Sequence, residues 1–166
     1  MQSRLEAILM SMVRVYLYAV GQKVILPLVA ENEAGVYVET GPVQFFDVPE
    51  VDKWKAEVYR RLVDGNPVVT TPDEDVTPGS PILEALNLKR WDDFERQSVL
   101  FTIHAKPRCV SLYVTGKDKD GRWTQNGKER EFASDAPLET VIDEMANELI
   151  QQPGAVAKPT LLLGGG

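Results

Sequence analysis

The chain contains one histidine and one cysteine, and these two residues are the first place to look for nucleophilic chemistry. His104 lies five residues before Cys109, in a segment with strand-like alternation. A short connection between two strands could bring the side chains together as a Cys–His pair. Such a pair also needs an orienting group and an exposed thiol, whereas Cys109 lies in a hydrophobic strand. We therefore favour a buried, inert thiol and predict that the protein is not an enzyme.

Three consecutive carboxylates, Asp73-Glu74-Asp75, could in principle hold a divalent cation. The segment lacks the regularly spaced oxygen ligands, and the glycine and glutamate after them, that define a calcium-binding loop. Residues 164–166 are three glycines, but they fit no phosphate-binding pattern. We predict neither a bound metal nor an organic cofactor.

Acidic residues exceed basic ones, giving the 166-residue chain a formal net charge of −7. Residues 31–75 contain eleven acidic and four basic residues, and residues 131–150 contain six acidic residues and no basic one. Such a surface repels nucleic acid and anionic membranes, so we predict that the protein binds neither directly. It would attract a basic protein and accelerate its association. The alternative is that the acidic surface only maintains solubility.

The single cysteine excludes a disulfide within the chain and a cysteine-based zinc site, which favours a reducing compartment and hence the cytoplasm. An apolar run over residues 7–13 is too short to span a membrane and lacks a signal-peptide pattern. We predict an N-terminal extension over residues 1–11, one domain over residues 12–152, and a C-terminal tail over residues 153–166.

The first half of the chain alternates with a period of two, which predicts strands joined by turns too short for parallel crossovers. These strands cover residues 12–20, 24–30, 36–40 and 43–46. The first is expected to bury one face only. Pro27 has no N–H to donate, so the second strand should lie at a sheet edge or contain a bulge. A helix follows over residues 49–63, with apolar residues at helical spacing.

The central segment, residues 80–101, predicts a helix beginning at Pro81, another helical turn, and then a strand. Trp91 and Phe94 share one face of that turn, and we expect them to pack in the core rather than stack on a ligand. Further strands and a last helix after Pro137 follow. The strands cover residues 98–105, 108–116, 122–125 and 131–133. The pattern predicts an α+β fold: a mainly antiparallel sheet packed against two longer helices and one or two short ones.

Four segments, taken in order, carry a resemblance to a known family. They are GVYVETGPV at residues 35–43, the helix around Trp54, DGNPVVTTP at residues 64–72, and PILEALNLKRWDDFERQSVLFTI at residues 81–103. Together they resemble small immunity proteins of bacterial contact-dependent growth-inhibition systems. The resemblance implies a non-catalytic cytoplasmic domain that covers the active site or substrate groove of a toxin. If that toxin is a nuclease, the groove is basic and an acidic partner mimics phosphate charge.

Charge placement and this resemblance lead to one hypothesis: an immunity protein that occludes the basic active site of a cognate toxin, expected to be a nuclease. The expected contact residues are carboxylates, most of them in loops and at strand ends. They are Glu31, Glu33, Glu39, Asp73, Glu74, Asp75, Asp92 and Asp93. The alternative is a non-catalytic adaptor module that binds a ligand or peptide. A third hypothesis is an enzyme that uses His104 and Cys109.

Overall fold

The computed structural model describes residues 10–70 and 80–156, which form an α+β fold as predicted. The strands are β1 Ser11–Tyr18, β2 Lys23–Glu31, β3 Tyr37–Asp47, β4 Ser98–Ala105, β5 Cys109–Lys117 and β6 Trp123–Ala133. The helices are α1 Val51–Asp64, α2 Ser80–Leu86, α3 Trp91–Glu95 and α4 Leu138–Ile150, followed by a 3-10 turn at Pro153–Ala155. Most of the predicted extension and tail, residues 1–9 and 157–166, lies outside the described residues.

All six strands belong to one sheet with the order β3-β2-β1-β4-β5-β6. Every neighbouring pair is antiparallel, which confirms the predicted pairing. β1 and β4 are distant in sequence but pair over their full lengths, from Ser11 opposite Ala105 to Tyr18 opposite Ser98. This pairing joins an N-terminal meander to a C-terminal one in a single sheet.

The prediction of two separate strands around Gly41-Pro42 is wrong, because both residues lie inside β3. Pro27 of β2 pairs with Val43 whereas Leu28 pairs with Thr40, so β3 accommodates the extra residues as a bulge. The proline in β2 is therefore tolerated at a bulge. It is not at an edge, since β2 lies between β3 and β1.

The prediction of two strands over residues 122–125 and 131–133, with a turn at Asn126-Gly127 between them, is also wrong, since β6 runs from Trp123 to Ala133 as one strand. Gly127 is required by close packing against β5 and not by a reversal of the chain. A Cβ atom at this position would lie 2.1 Å from the carbonyl oxygen of Val114 and 2.6 Å from the hydroxyl of Tyr113. A glycine inside a strand often marks such a close approach, and sequence alone does not distinguish this from a turn.

The first face of the sheet carries α1 and α4, the two longer helices. Their apolar stripes are buried, as predicted from their spacing, and they pack on alternate residues of the strands. Trp54 of α1 is fully buried, and its indole Nε1 donates a hydrogen bond to the carbonyl oxygen of Val48 at 3.0 Å. This face contains the larger of the two apolar clusters.

The second face is covered at one end by α2 and α3, so the prediction that β1 buries only one face is wrong. Tyr16 and Tyr18 of β1 are buried there with Ile82 and Phe94. The ring of Phe94 lies 5.3 Å from both tyrosine rings, measured between centroids. Trp91 packs against Phe94 at 5.2 Å, which confirms the core role predicted for both residues. Among the described residues, no helix is long and apolar enough to cross a membrane.

Candidate functional site

Glu31 and Glu33 lie at the end of β2 and in the turn that leads to β3. Glu31 is half-buried, and Glu33 is exposed. Asn32 shapes the turn, because its Oδ1 accepts hydrogen bonds from the backbone N–H groups of Ala34 and Val36, both at 2.9 Å. The two predicted contact residues are therefore held on an ordered turn, which reduces the conformational entropy lost on binding.

Exposed apolar side chains surround these carboxylates. Val68 is 73% exposed and lies beside Glu31. The N–H of Glu31 donates a hydrogen bond to the carbonyl oxygen of Pro67 at 2.8 Å, and the carbonyl oxygen of Glu31 accepts one from the N–H of Val69 at 2.9 Å. Val36 is 54% exposed in the turn, and Met10 is 50% exposed just before β1. We call this group the β2-end patch; its members are Met10, Glu31, Glu33, Val36 and Val68. Apolar anchors beside charged groups are typical of a protein-binding surface.

Asn66 fixes the backbone beneath the β2-end patch. Its Nδ2 donates to the carbonyl oxygens of Met12 and Val29, and its Oδ1 accepts from the N–H of Met12, all at 2.8 Å. One side chain thus connects the start of β1, the end of β2 and the segment after α1. This role could not be predicted from the sequence, because an asparagine in a loop gives no signal of its partners.

Glu39 occupies a different environment from the other predicted contact residues. Its side chain is only 5% exposed. Its Oε2 accepts hydrogen bonds from Nη1 of Arg14 at 3.2 Å and from the hydroxyl of Tyr16. Burial, and then the nearby Glu39 carboxylate, raise the pKa of the Tyr16 hydroxyl, so Tyr16 remains a donor at neutral pH. The other oxygen, Oε1, is buried and has no hydrogen-bond partner among residues 10–70 and 80–156.

A cavity of about 710 Å³ lies beside Glu39, between β3 and α2. Its apolar wall includes Val38 and Val43 of β3 and Pro81 of α2. Glu84 of α2 also lines it, and that side chain is exposed. The cavity continues along Val69 and Thr70, directly after Val68 of the β2-end patch. It is therefore close to the exposed carboxylates and is large enough to hold a side chain or a small ligand.

The remaining predicted carboxylates do not join this region. Asp73, Glu74 and Asp75 lie outside the described residues. Asp92 lies in α3 and forms ion pairs with Arg90 at 3.4 Å and Arg122 at 3.3 Å.

Asp93 is exposed on the same helix, near Tyr18. Burial and the charge of Asp93 raise the pKa of the Tyr18 hydroxyl. Asp93 lies near Tyr18, the last residue of β1, whereas Glu31 ends the antiparallel strand β2, next to the start of β1. At a strand rise of about 3.3 Å per residue, the two acidic groups are roughly 25 Å apart. Each could contribute to a different edge of one large interface, but they do not form a single cluster.

His104 and Cys109 lie on the second face but are not direct partners. His104 pairs with Ser111, so Cys109 is a diagonal neighbour, a relation that typically separates two residues by roughly 7–8 Å. The imidazole packs edge-on against Tyr37 at 5.5 Å between centroids. Burial, and then the positive charge of Lys106, lower its pKa. Cys109 is only partly buried, so its predicted burial is wrong.

Within residues 10–70 and 80–156, no group of three or more His, Cys, Asp or Glu side chains could hold a metal ion. The polar group that sequence reasoning missed is instead the one formed by Arg14, Tyr16 and Glu39. Its signal was present in part, because Arg14 and Tyr16 alternate onto the same face of β1. Glu39 could be added only once the strand order was known.

No family model matches the sequence, and no curated protein matches it. Among solved structures, the fold is similar to that of a protein of unknown function from Neisseria meningitidis. The TM-score is 0.53 at 9% sequence identity, over 83% of this chain and 93% of that chain. A likeness at this identity shows a common fold.

Proposed function

We propose that the protein is an immunity protein that binds a cognate bacterial toxin and neutralises it by covering a basic active site. The observation that carries the proposal is the β2-end patch, where Glu31 and Glu33 flank the exposed side chains of Val36 and Val68. Apolar side chains that lose water on binding supply affinity, and the carboxylates steer a basic partner. The resemblance of residues 35–103 to immunity proteins supports the same function.

The β2-end patch and helix α4 differ in how far their acidic charge is neutralised. On α4, Glu144 and Glu148 pair with Arg130 of β6 at 2.8 and 2.6 Å. In the described part of the chain, neither Glu31 nor Glu33 forms an ion pair. Uncompensated carboxylates attract a basic groove more strongly than paired ones. This difference favours the β2-end patch over α4 as the contact surface and argues against solubility as its only role.

A nuclease is the expected toxin, because its active site must bind phosphate and is therefore basic. An interface of standard size would bury roughly 1,600 Å² in total, more than the β2-end patch alone supplies. Residues beside the patch must then contribute, and the cavity rim is the nearest such surface. The proposal includes action in the cytoplasm, where the lone cysteine would remain reduced.

Co-expression with the toxin domain encoded beside its gene would test this function in cells. The chain should restore growth, and the double variant Glu31→Lys/Glu33→Lys should protect much less at equal expression. The double variant Asp135→Lys/Glu139→Lys is the matched control, because it changes the net charge by the same amount and both residues are exposed at or just before the start of α4. Full protection by Glu31→Lys/Glu33→Lys would show that neutralisation does not use this surface.

A ligand- or peptide-binding adaptor is the second candidate, and the cavity beside Glu39 is the observation that favours it. An adaptor of this kind would retain a small molecule or peptide when purified gently from its own cells. Native mass spectrometry would show that mass directly. An immunity protein would instead purify with a protein partner or alone.

A further inference from the structure

Strand β6 forms one edge of the sheet, and its second half is a regular, open strand edge. Residues 128–133 pair with β5 in antiparallel order, in unbroken register from Lys128 opposite Val114 to Ala133 opposite Cys109. In the part of the chain that the structure describes, no strand lies on the other side of β6. Residues 128–131 are all exposed. An edge of this kind leaves backbone donors and acceptors available to another chain.

The hydrogen-bond pattern of the sheet determines which backbone groups of β6 face outward. The N–H of Lys106 donates to the carbonyl oxygen of Cys109 at 2.9 Å, so these residues form a hydrogen-bonded pair at the β4–β5 turn. Hydrogen-bonded and non-hydrogen-bonded pairs alternate along an antiparallel ladder. Counting along the register from this pair, the even-numbered residues of β5 bond the even-numbered residues of β6. The N–H and C=O groups of Glu129 and Glu131 therefore point away from β5, toward the open side.

The two faces of this edge differ in charge. On the first face of the sheet, Arg130 pairs with Glu144 and Glu148 of α4 at 2.8 and 2.6 Å. Because side chains alternate along a strand, Glu129 and Glu131 lie on the second face. Both are exposed, and neither forms an ion pair within the described residues. The residues with a free backbone edge are thus also the ones with uncompensated carboxylates.

A partner strand must match both features. In an antiparallel pair, two residues that exchange hydrogen bonds lie opposite each other, with side chains on the same face. Two alternate residues of an added strand would therefore lie opposite Glu129 and Glu131, where lysine or arginine is favourable. Two-fold pairing of these residues with those of a second copy would place carboxylate opposite carboxylate, which is destabilising. The charge pattern selects a different, basic chain.

We infer that residues 128–133 of β6 bind an extended segment of a partner protein as an added antiparallel strand, with lysine or arginine at alternate positions of that segment. This surface is separate from the β2-end patch, because β6 lies four positions from β2 in the strand order. The inference does not depend on the proposed function.

The probe is acetyl-Thr-Lys-Thr-Lys-Thr-Lys-Thr amide, titrated into the full chain and followed by NMR of the backbone amides. Binding should slow hydrogen exchange at Glu129 and Glu131, whose N–H groups face solvent in the free chain. Arg130 should change little, because its N–H already bonds β5. Two N-methylated peptides of equal charge are the controls. Methylation at every lysine removes the N–H groups that would face β6 and should abolish binding, whereas methylation at an equal number of threonines should preserve it.

Substitutions in the chain separate the charge from the backbone edge. Glu129→Gln/Glu131→Gln should weaken peptide binding by roughly fivefold, the loss expected for two cross-strand ion pairs. Glu31→Gln/Glu33→Gln is the matched control at the β2-end patch and should bind the peptide like wild type. Glu131→Pro removes an outward N–H, which an edge strand tolerates because that group has no partner in the sheet. It should abolish the slowed exchange at Glu129.

Three results would overturn the inference: equal weakening by lysine and threonine methylation, loss of binding only when threonine is methylated, or wild-type binding by Glu131→Pro. A peptide that never slows exchange at Glu129 and Glu131 would also overturn it, and would leave this charged edge the role of preventing aggregation. If Glu131→Pro does not fold, the methylated peptides still decide. None of these results bears on the β2-end patch, whose test is protection against a toxin.

Discussion

The two ends of the second sheet face have the same strands beneath them but opposite properties. At one end, α2 and α3 cover Tyr16 and Tyr18 with apolar and aromatic side chains. At the other end, the same strands present Arg14, Glu39 and His104 beneath partial cover, and the β2-end patch is exposed at the rim. The covered end is an apolar and aromatic core, whereas the open end combines a buried polar group with the exposed side chains of the β2-end patch. The cover supplied by the helices, rather than the composition of the strands, distinguishes the two ends of this face.

Substitutions at the covered end should therefore lower the free energy of unfolding the most. Phe94→Ala removes a fully buried ring that packs on both tyrosines, and we expect the free energy of unfolding to fall by about 3–5 kcal/mol. Urea denaturation measures the loss. Val36→Ala at the open end is the control and should change stability little, because Val36 is exposed. Comparable losses at the two ends would remove the distinction between them.

The Arg14–Tyr16–Glu39 group lies where the two ends meet, and substitutions in it should have an intermediate effect on stability. Glu39→Ala leaves Arg14 and Tyr16 without their acceptor, and we expect a loss of about 2–3 kcal/mol, moderated because a quarter of the Arg14 side chain is exposed. Urea denaturation again provides the measurement.

The matched control removes all three polar members with side chains of similar volume. It is the triple variant Arg14→Met/Tyr16→Phe/Glu39→Leu. It should regain most of the lost stability, because replacing a buried polar network with apolar groups is often neutral. A triple variant no more stable than Glu39→Ala would instead show that the polar group itself contributes net stability to the fold.

Substitution of His104 should have the smallest effect on stability, and that effect should depend on pH. Burial and Lys106 lower its pKa in the folded state from the usual 6.5. As pH falls through about 6.5, the unfolded state binds the proton first, so stability declines until the folded-state pKa is passed. Chemical denaturation at a series of pH values should show this slope in the wild-type chain and a shallower one in His104→Gln. Identical slopes would exclude His104 as its source.

Much of the fold could be predicted from periodicity, since β4 and the apolar stripes of α1 and α4 lie where the pattern places them. The errors occur at Gly41-Pro42 and Asn126-Gly127, where turn-forming residues lie inside strands. In β3 they form a bulge, and in β6 the glycine allows close packing against β5. Local sequence cannot separate these cases, because the difference depends on the neighbouring strand.

The candidate site was less predictable for a related reason. Glu31 and Glu33 could be selected because charged residues beside a turn are usually accessible. The burial of Glu39 could not be predicted, because it depends on Arg14, which lies two strands away across β2. Strand order is a property of the whole sheet, and short-range spacing does not contain it. The cavity beside Glu39 likewise exists only because α2 packs against β3.

The most direct test of the proposed function is the association rate constant with a candidate cognate toxin, measured by stopped flow over a range of salt concentrations. The wild-type rate should fall steeply with salt, as expected for electrostatic steering. Glu31→Lys/Glu33→Lys should associate roughly tenfold or more slowly at low salt and depend less on salt, whereas the charge-matched Asp135→Lys/Glu139→Lys should remain much closer to wild type. A Glu31→Lys/Glu33→Lys variant that associates as fast as wild type would contradict the claim that these carboxylates recognise a basic partner.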